Sequence, residues 1–179
     1  MIRLSAPSNE LLAQVRLAAS SARPTYPDDG VFRPFEYEQT VGHGAASFAV
    51  GRDVLRQWRM HRGAGVRVEP VPLAVGTDVV LWTRTLGLTL VFACRISEVF
   101  DDDRNFGFTY TTLPGHPEQG TETFRLELIN DVVQLHIVGE SRPALLLNKL
   151  SGPVGHRLQK QFTQRYITTM RSAIKDAIT

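Results

Sequence analysis

The stretch NFGFTYTTLPGHPEQGTETFRLELINDVVQLHIV (Asn105–Val138) decides the fold. Within it, apolar and polar side chains alternate in three runs, whose apolar members are Phe106, Phe108 and Tyr110, then Phe124, Leu126 and Leu128, then Val133, Leu135 and Ile137. A period of two is typical of strands that bury one face and leave the other in water. Asn130-Asp131 is a tight-turn pair, and such short connections make neighbouring strands antiparallel. The stretch therefore predicts an antiparallel meander.

Segments upstream of the meander add further strands and a loop. Alternating or apolar runs predict strands over residues 66–68, 77–87 and 88–100, and the short apolar run ASFAVG in the Ala45–Gly51 region predicts a first strand. Residues 22–35, rich in proline and glycine, are expected to form a connecting loop. Arg95 is expected on the wet face of its strand. Burial of both faces of the run LVFACRI (residues 90–96) would imply a dimer.

Helical spacing of apolar residues predicts three helices. The first runs from Ser8, a suitable N-cap, to Ser21, and the second is a compact helix over Gly51–Gly63 that turns Val54, Trp58 and His61 to one face. The last begins near Pro153 and carries an apolar stripe formed by Leu158, Phe162, Tyr166, Met170 and Ile174.

An apolar sheet face and a long amphipathic helix bury each other. We expect an α+β fold in which a curved antiparallel sheet of about seven strands wraps around the C-terminal helix, within a single domain over residues 1–179. This order of elements is that of the helix-grip fold, in which a cavity often lies between sheet and helix.

Composition excludes several classes of protein. The 179 residues are 42% hydrophobic and 21% charged with a net charge of +2, which excludes disordered and collagen-like chains. So small a net charge disfavours nucleic acid as a partner. The one cysteine, Cys94, is expected as a small buried hydrophobe, and neither a signal peptide nor a membrane span is predicted. We expect a cytoplasmic protein, monomeric or homodimeric.

Several strings resemble an uncharacterised family, the domain of unknown function nineteen-ninety. They are LRQWRMHRG (55–63), CRISEVF (94–100), GFTYTTLPGHPEQGTETF (107–124), ESRP (140–143) and PVGHRLQKQF (153–162). The resemblance begins at about Glu36, so the first helix and loop, residues 1–35, lie outside it. The chain departs from the family pattern at Thr111, where glycine is expected, and at Thr121, where the first of two acidic residues is expected. The resemblance implies a relative of the START and pollen-allergen proteins, which bind lipids and other hydrophobic ligands, and it transfers no catalytic residue.

The expected function is binding of a small hydrophobic or amphipathic ligand between the sheet and the last helix. Apolar contacts would provide affinity, while Tyr110 and Arg142 would orient the ligand. The candidate ligand-binding residues are Phe106, Phe108, Tyr110, Phe124, Arg142, Phe162, Tyr166 and Met170. No cofactor is predicted.

Two alternatives stay open. The family-motif loop (Pro114, Gly115, His116, Pro117 and Glu118) also approaches Glu122, so its histidine could act with a carboxylate or Tyr110 in a cyclase- or hydrolase-like enzyme, or could simply brace the loop. No metal-ligand spacing accompanies it. The stripe of Arg52, Arg56 and Arg59 beside Trp58 could bind an anion or nucleic acid, or be a solvated helix face.

Overall fold

The computed structural model describes residues 1–24, 31–85, 87–143 and 153–178. Residues 25–30 of the expected loop and the side chain of Leu158 lie outside this description. The helices are α1 (Asn9–Ser21), α2 (Gly44–Arg56), α3 (Arg59–Gly63) and α4 (Pro153–Ile178). The strands are β1 (Ile2–Arg3), β2 (Arg33–His43), β3 (Val66–Val68), β4 (Asp78–Thr85), β5 (Leu88–Asp101), β6 (Asn105–Thr112), β7 (Glu118–Ile129) and β8 (Val132–Pro143).

The strands form one curved antiparallel sheet around α4. Seven of them follow the order β2-β8-β7-β6-β5-β4-β3, and the two-residue β1 pairs with β5. The inward faces of the strands and the apolar stripe of α4 share one hydrophobic core, to which the helix contributes Tyr166, Ile167, Met170 and Ile174. The α+β helix-grip prediction is confirmed.

The hairpin between β7 and β8 follows from its two turn residues. Asn130 and Asp131 both have positive φ, 49° and 69°, as a type I′ turn requires. This turn fixes the register in which Phe124 pairs with Ile137 and Leu126 pairs with Leu135. All four side chains are at most 1% exposed, so the predicted alternation does produce the buried face.

The prediction of a first strand in the Ala45–Gly51 region is wrong, because that segment lies within helix α2. Its buried residues Ser47, Phe48, Gly51, Val54 and Leu55 follow helical spacing once the whole element is considered. A short apolar run between glycines does not distinguish the two structures, and here the alanines favour the helix.

The edge strand β2 was not predicted, and the predicted helix over Gly51–Gly63 is two helices. β2 starts inside the expected loop, with Pro34 tolerated because the strand lies at the edge of the sheet. The helix breaks at Trp58, whose φ of 57° is left-handed. Its buried indole donates a hydrogen bond from Nε1 to the carbonyl of Val71 at 3.2 Å, which holds the corner between α2 and α3.

Helix α1 covers the outer face of β4 and β5. Leu11 and Leu12 pack against Val80 and Val91, so this part of β5 is buried on both faces within one chain and needs no dimer. Arg95 lies under the end of α1 and not on a wet face, as its side chain is 24% exposed. Its guanidinium donates to the carbonyl oxygens of the α1 end and to the Asp78 carboxylate at 2.7 Å.

Candidate functional site

An imidazole lies at the centre of the interior between the sheet and α4. His61 is carried by the short helix α3 and is 0% exposed. Five aromatic rings surround it with centroid separations of 4.8–6.3 Å: Trp58, Phe108, Tyr110, Phe124 and Tyr166.

Neither ring nitrogen of His61 has a hydrogen-bond partner among the residues that the structure describes. Burial lowers the pKa of His61 from 6.5 to about 3, so the ring is neutral at physiological pH. A neutral imidazole offers one N–H donor and one nitrogen acceptor, and leaving such a group unpaired in the interior costs about 1–3 kcal/mol. Packing alone does not favour histidine at this position.

A carboxyl group enters the same interior from β7. Glu122 pairs in register with Tyr110 on β6, and the Tyr110 hydroxyl donates to Glu122 Oε2 at 2.7 Å. Glu122 is partly buried, and burial raises its pKa to about 7 even though the bond from Tyr110 opposes the shift. The carboxyl therefore exists in both protonated and ionised forms near neutral pH.

Burial raises the pKa of several titratable neighbours of Glu122. Burial, followed by the charge of Glu122, raises the pKa of both Tyr110 and Tyr166 well above the usual range, so both phenols keep their protons. Burial likewise raises the pKa of the Cys94 thiol, which fits the buried hydrophobe expected there. Burial also raises the pKa of Glu118, whose carboxyl contributes a like charge to the environment of Glu122.

The structure brings together some of the predicted ligand-binding residues. Phe108, Tyr110, Phe124 and Tyr166 form one cluster of contacting rings around His61. Phe162, one turn before Tyr166 on α4, is partly buried against the same core.

Two other predicted ligand-binding residues lie outside the ring cluster around His61. Phe106 is buried under the guanidinium groups of Arg52 and Arg56, which lie 5.1 and 5.0 Å from its ring centroid. Met170 is fully buried, and its sulfur lies beside Gly51 where α2 approaches α4.

Arg142 is not brought to this cluster. It lies five positions beyond Ile137 on β8, which places it on the opposite face of the sheet. Its Nε donates to the Gln119 side chain at 3.0 Å, and its guanidinium lies 4.8 Å from the ring centroid of Phe32. The expectation that Arg142 orients a ligand in the interior therefore has no geometric support.

His116 braces the family-motif loop. Its Nδ1 lies 3.0 Å from the amide nitrogen and 2.7 Å from the carbonyl oxygen of Glu118, and its ring contacts Phe92 edge-on at 4.5 Å. Burial lowers its pKa to about 4. The loop histidine thus has local partners, in contrast to His61.

The arginine stripe is partly engaged within the chain. Arg52 and Arg56 both pair with Asp101, and Trp58 is only 1% exposed, so its ring is not available for stacking on a base. Arg59 is exposed. The geometry gives the stripe a role in joining α2 to the end of β5.

The comparisons with known proteins place the chain in a family. The model of a family described as Domain of unknown function (DUF1990) matches residues 14–169. The chain belongs to this family. The match begins inside α1, earlier than the resemblance, which was expected to begin at about Glu36 and to leave residues 1–35 outside.

Relatives and solved structures agree with that assignment. A UPF0548 protein of Dictyostelium discoideum is 26% identical over 86% of this chain and 80% of its own length. A UPF0548 protein of Deinococcus radiodurans is 29% identical over 70% of each chain. Ara h 8.0201 superposes with a TM-score of 0.57 at 13% identity, over 82% of this chain and 99% of its own. Major latex-like protein 151 of Panax ginseng gives 0.55 at 10% identity, over 80% and 97%. These structures establish the fold of this DUF1990 protein.

Two features of the DUF1990 interior were not identified from the sequence as a site. The shared face of Val54, Trp58 and His61 placed the histidine in the core. That it lacks a partner in the described part of the chain depends on neighbours from three other elements. Glu122 was considered only with the loop, whereas its place in the alternation with Phe124 and Leu126 already put it on the inward face.

The described ranges contain neither a metal-binding cluster nor a membrane-spanning helix. No group of three or more histidine, cysteine, aspartate or glutamate side chains there is arranged to hold a metal ion. No helix in the same ranges is both long and apolar enough to cross a membrane.

Proposed function

We propose that this protein binds a small amphipathic ligand between the sheet and the part of α4 that carries Phe162 and Tyr166. The observation that carries the proposal is the inward Glu122 carboxyl, hydrogen-bonded to Tyr110 at the edge of a cluster of aromatic rings. A carboxyl and a phenol at one end of an apolar interior form the arrangement that small-molecule sites use to orient a ligand.

The partly buried residues indicate where a ligand enters. Glu122 on β7 and Phe162 on α4 are both partly buried, whereas Phe108 and Phe124 deeper in the interior are 0% exposed. The rings of the deep cluster contact each other and fill this part of the interior. Binding therefore requires that the apolar body of the ligand insert beside Phe162 and move these rings apart. Apolar area removed from water provides the affinity, at about 25 cal/mol per Å² before the costs of ordering the ligand.

A neutral fluorescent probe, N-phenyl-1-naphthylamine, tests the proposal. The expected result is saturable binding with a blue-shifted emission. Phe162→Ala should weaken this binding by about tenfold, which corresponds to about 1.4 kcal/mol of lost contact. Tyr166→Ala is a poorer choice, because that side chain is 6% exposed and packs on His61 and Phe124, so its loss would destabilise the fold.

The matched control is Leu17→Ala. Leu17 is 73% exposed on α1, on the far side of the sheet, and should leave probe affinity unchanged. Absence of saturable binding, or equal effects of Phe162→Ala and Leu17→Ala, would refute binding in the interior.

A further inference from the structure

Two carboxyl groups lie at the same end of the interior. Among the described residues, the hydrogen-bond partner of the Glu122 carboxyl is the Tyr110 hydroxyl, and the Glu118 carboxyl bonds Ser141. The two carboxyls are near enough for the charge of Glu118 to raise the pKa of Glu122. This end of the site is therefore rich in acceptors and carries negative charge as the carboxyls ionise.

His61 is a second, independent observation of the same kind. Its ring lies 5.1 Å from that of Tyr166 and 6.3 Å from that of Tyr110, and both tyrosines also neighbour Glu122. It is fully buried, and neither nitrogen is bonded to any part of the chain that the structure describes. Because burial keeps it neutral, one of its nitrogens is a hydrogen-bond acceptor within the aromatic cluster.

Three common polar head groups, a carboxylate, an alcohol and a protonated amine, differ in how well they match the residues of this site. A carboxylate carries only acceptors and a negative charge, so it would be repelled by Glu122 and Glu118. An alcohol brings a single O–H donor. A protonated amine brings three N–H donors and a positive charge, which match a carboxylate, an imidazole acceptor and the faces of aromatic rings.

We propose that the ligand carries a protonated amine on an apolar body, with Glu122 as the ion-pair partner of the ammonium group and His61 as a further acceptor. The proposal rests on the proposed function, because it names the chemical class that the same interior takes. Tyr110 positions the Glu122 carboxylate by donating to Oε2, and the contacting rings of Tyr166 and Phe124 provide aromatic surface for the cation.

The test compares three compounds that share one apolar chain: decylamine, decanol and decanoate. Each displaces N-phenyl-1-naphthylamine from the full-length protein at neutral pH. We expect decylamine to bind about tenfold more tightly than decanol, because hydrogen bonds between charged groups are stronger than those of a neutral hydroxyl, and we expect decanoate to bind most weakly. If decanoate binds the unmodified protein as tightly as decylamine does, the proposal is overturned.

Glu122→Gln keeps the shape of the side chain and removes its charge. It should lower the affinity for decylamine by about tenfold and leave that for decanol within about twofold. The matched control is Glu140→Gln, an exposed acid on β8, which should keep the full preference. A decylamine preference that survives Glu122→Gln would also overturn the proposal.

The two proposals fail in distinguishable ways. If neither the probe nor any of the three compounds binds, the interior is not a ligand site and the proposed function itself is refuted. If the probe binds and the compounds rank with decanoate first, the interior is a ligand site but the amine is the wrong class.

Discussion

His61→Phe should stabilise this protein. The substitution replaces a buried imidazole, whose two nitrogens have no partner among the described residues, with a ring of similar shape and no polar atoms. Removing an unpaired buried polar group raises the free energy of unfolding by about 1–3 kcal/mol. The phenyl ring is larger than the imidazole, and overpacking of the core offsets part of this gain. We expect a net increase of about 1–2 kcal/mol in the free energy of unfolding at pH 7.

Lower pH should enlarge the difference. The pKa of His61 is lowered in the folded protein from 6.5 to about 3. At pH values between these two, the imidazole of His61 is protonated in the unfolded chain and neutral in the folded protein. As pH falls below 6.5, the wild type therefore loses stability relative to His61→Phe, which lacks this titrating group. By linkage the gap widens by about 1.4 kcal/mol for each pH unit, or roughly 2 kcal/mol between pH 6.5 and 5.

Urea denaturation of both proteins at pH 7 and pH 5 measures these quantities. His116→Phe is the matched control, because the imidazole of His116 is bonded to the backbone of Glu118 and its loss should destabilise by about 1 kcal/mol. A His61→Phe variant that is less stable than the wild type, with a gap independent of pH, would show that His61 has a partner in the folded protein.

Two other positions give separate predictions. The pKa of Glu122 is raised to about 7 from 4.5 in the folded protein. As pH rises from about 4.5 to 7, the free energy of unfolding of the wild type should therefore fall by up to roughly 3 kcal/mol relative to that of Glu122→Gln. If urea denaturation shows the same difference between the two proteins across that range, the raised pKa is contradicted. Arg95→Met removes the donors to Ala19 and Ala22 and leaves Asp78 unpaired, which should cost about 2 kcal/mol and accelerate amide exchange in α1 more than in α4. Equal acceleration in both helices would contradict an anchoring role for Arg95.

Local patterns were enough to predict the sheet and the last helix. The alternation from Phe106 to Ile137 and the Asn130-Asp131 turn determine pairing and register within short range, so the meander follows from the sequence. The prediction of a strand in the Ala45–Gly51 region was wrong because its apolar run is too short to show a period. The helical spacing is clear only when Val54 and Leu55 are included.

The candidate site was harder to predict because it depends on contacts between distant segments. The docking of α1 on β4 and β5, which covers Arg95, is a tertiary contact without a local signal. That His61 has no hydrogen-bond partner among the described residues is a property of rings contributed by β6, β7 and α4. Arg142 was predicted at the mouth of the site because it follows the last strand, whereas the alternation along β8 places it on the outer face of the sheet.

The most direct test of ligand binding in the interior is the NMR resonance of the His61 Cε1–H group during a titration with N-phenyl-1-naphthylamine. Binding beside Tyr110 and Tyr166 should shift this resonance in step with saturation of the fluorescence, while that of His136 on the outer face stays in place. A saturating probe that leaves the His61 resonance unchanged would contradict the account, because the ligand would then be bound elsewhere on the protein.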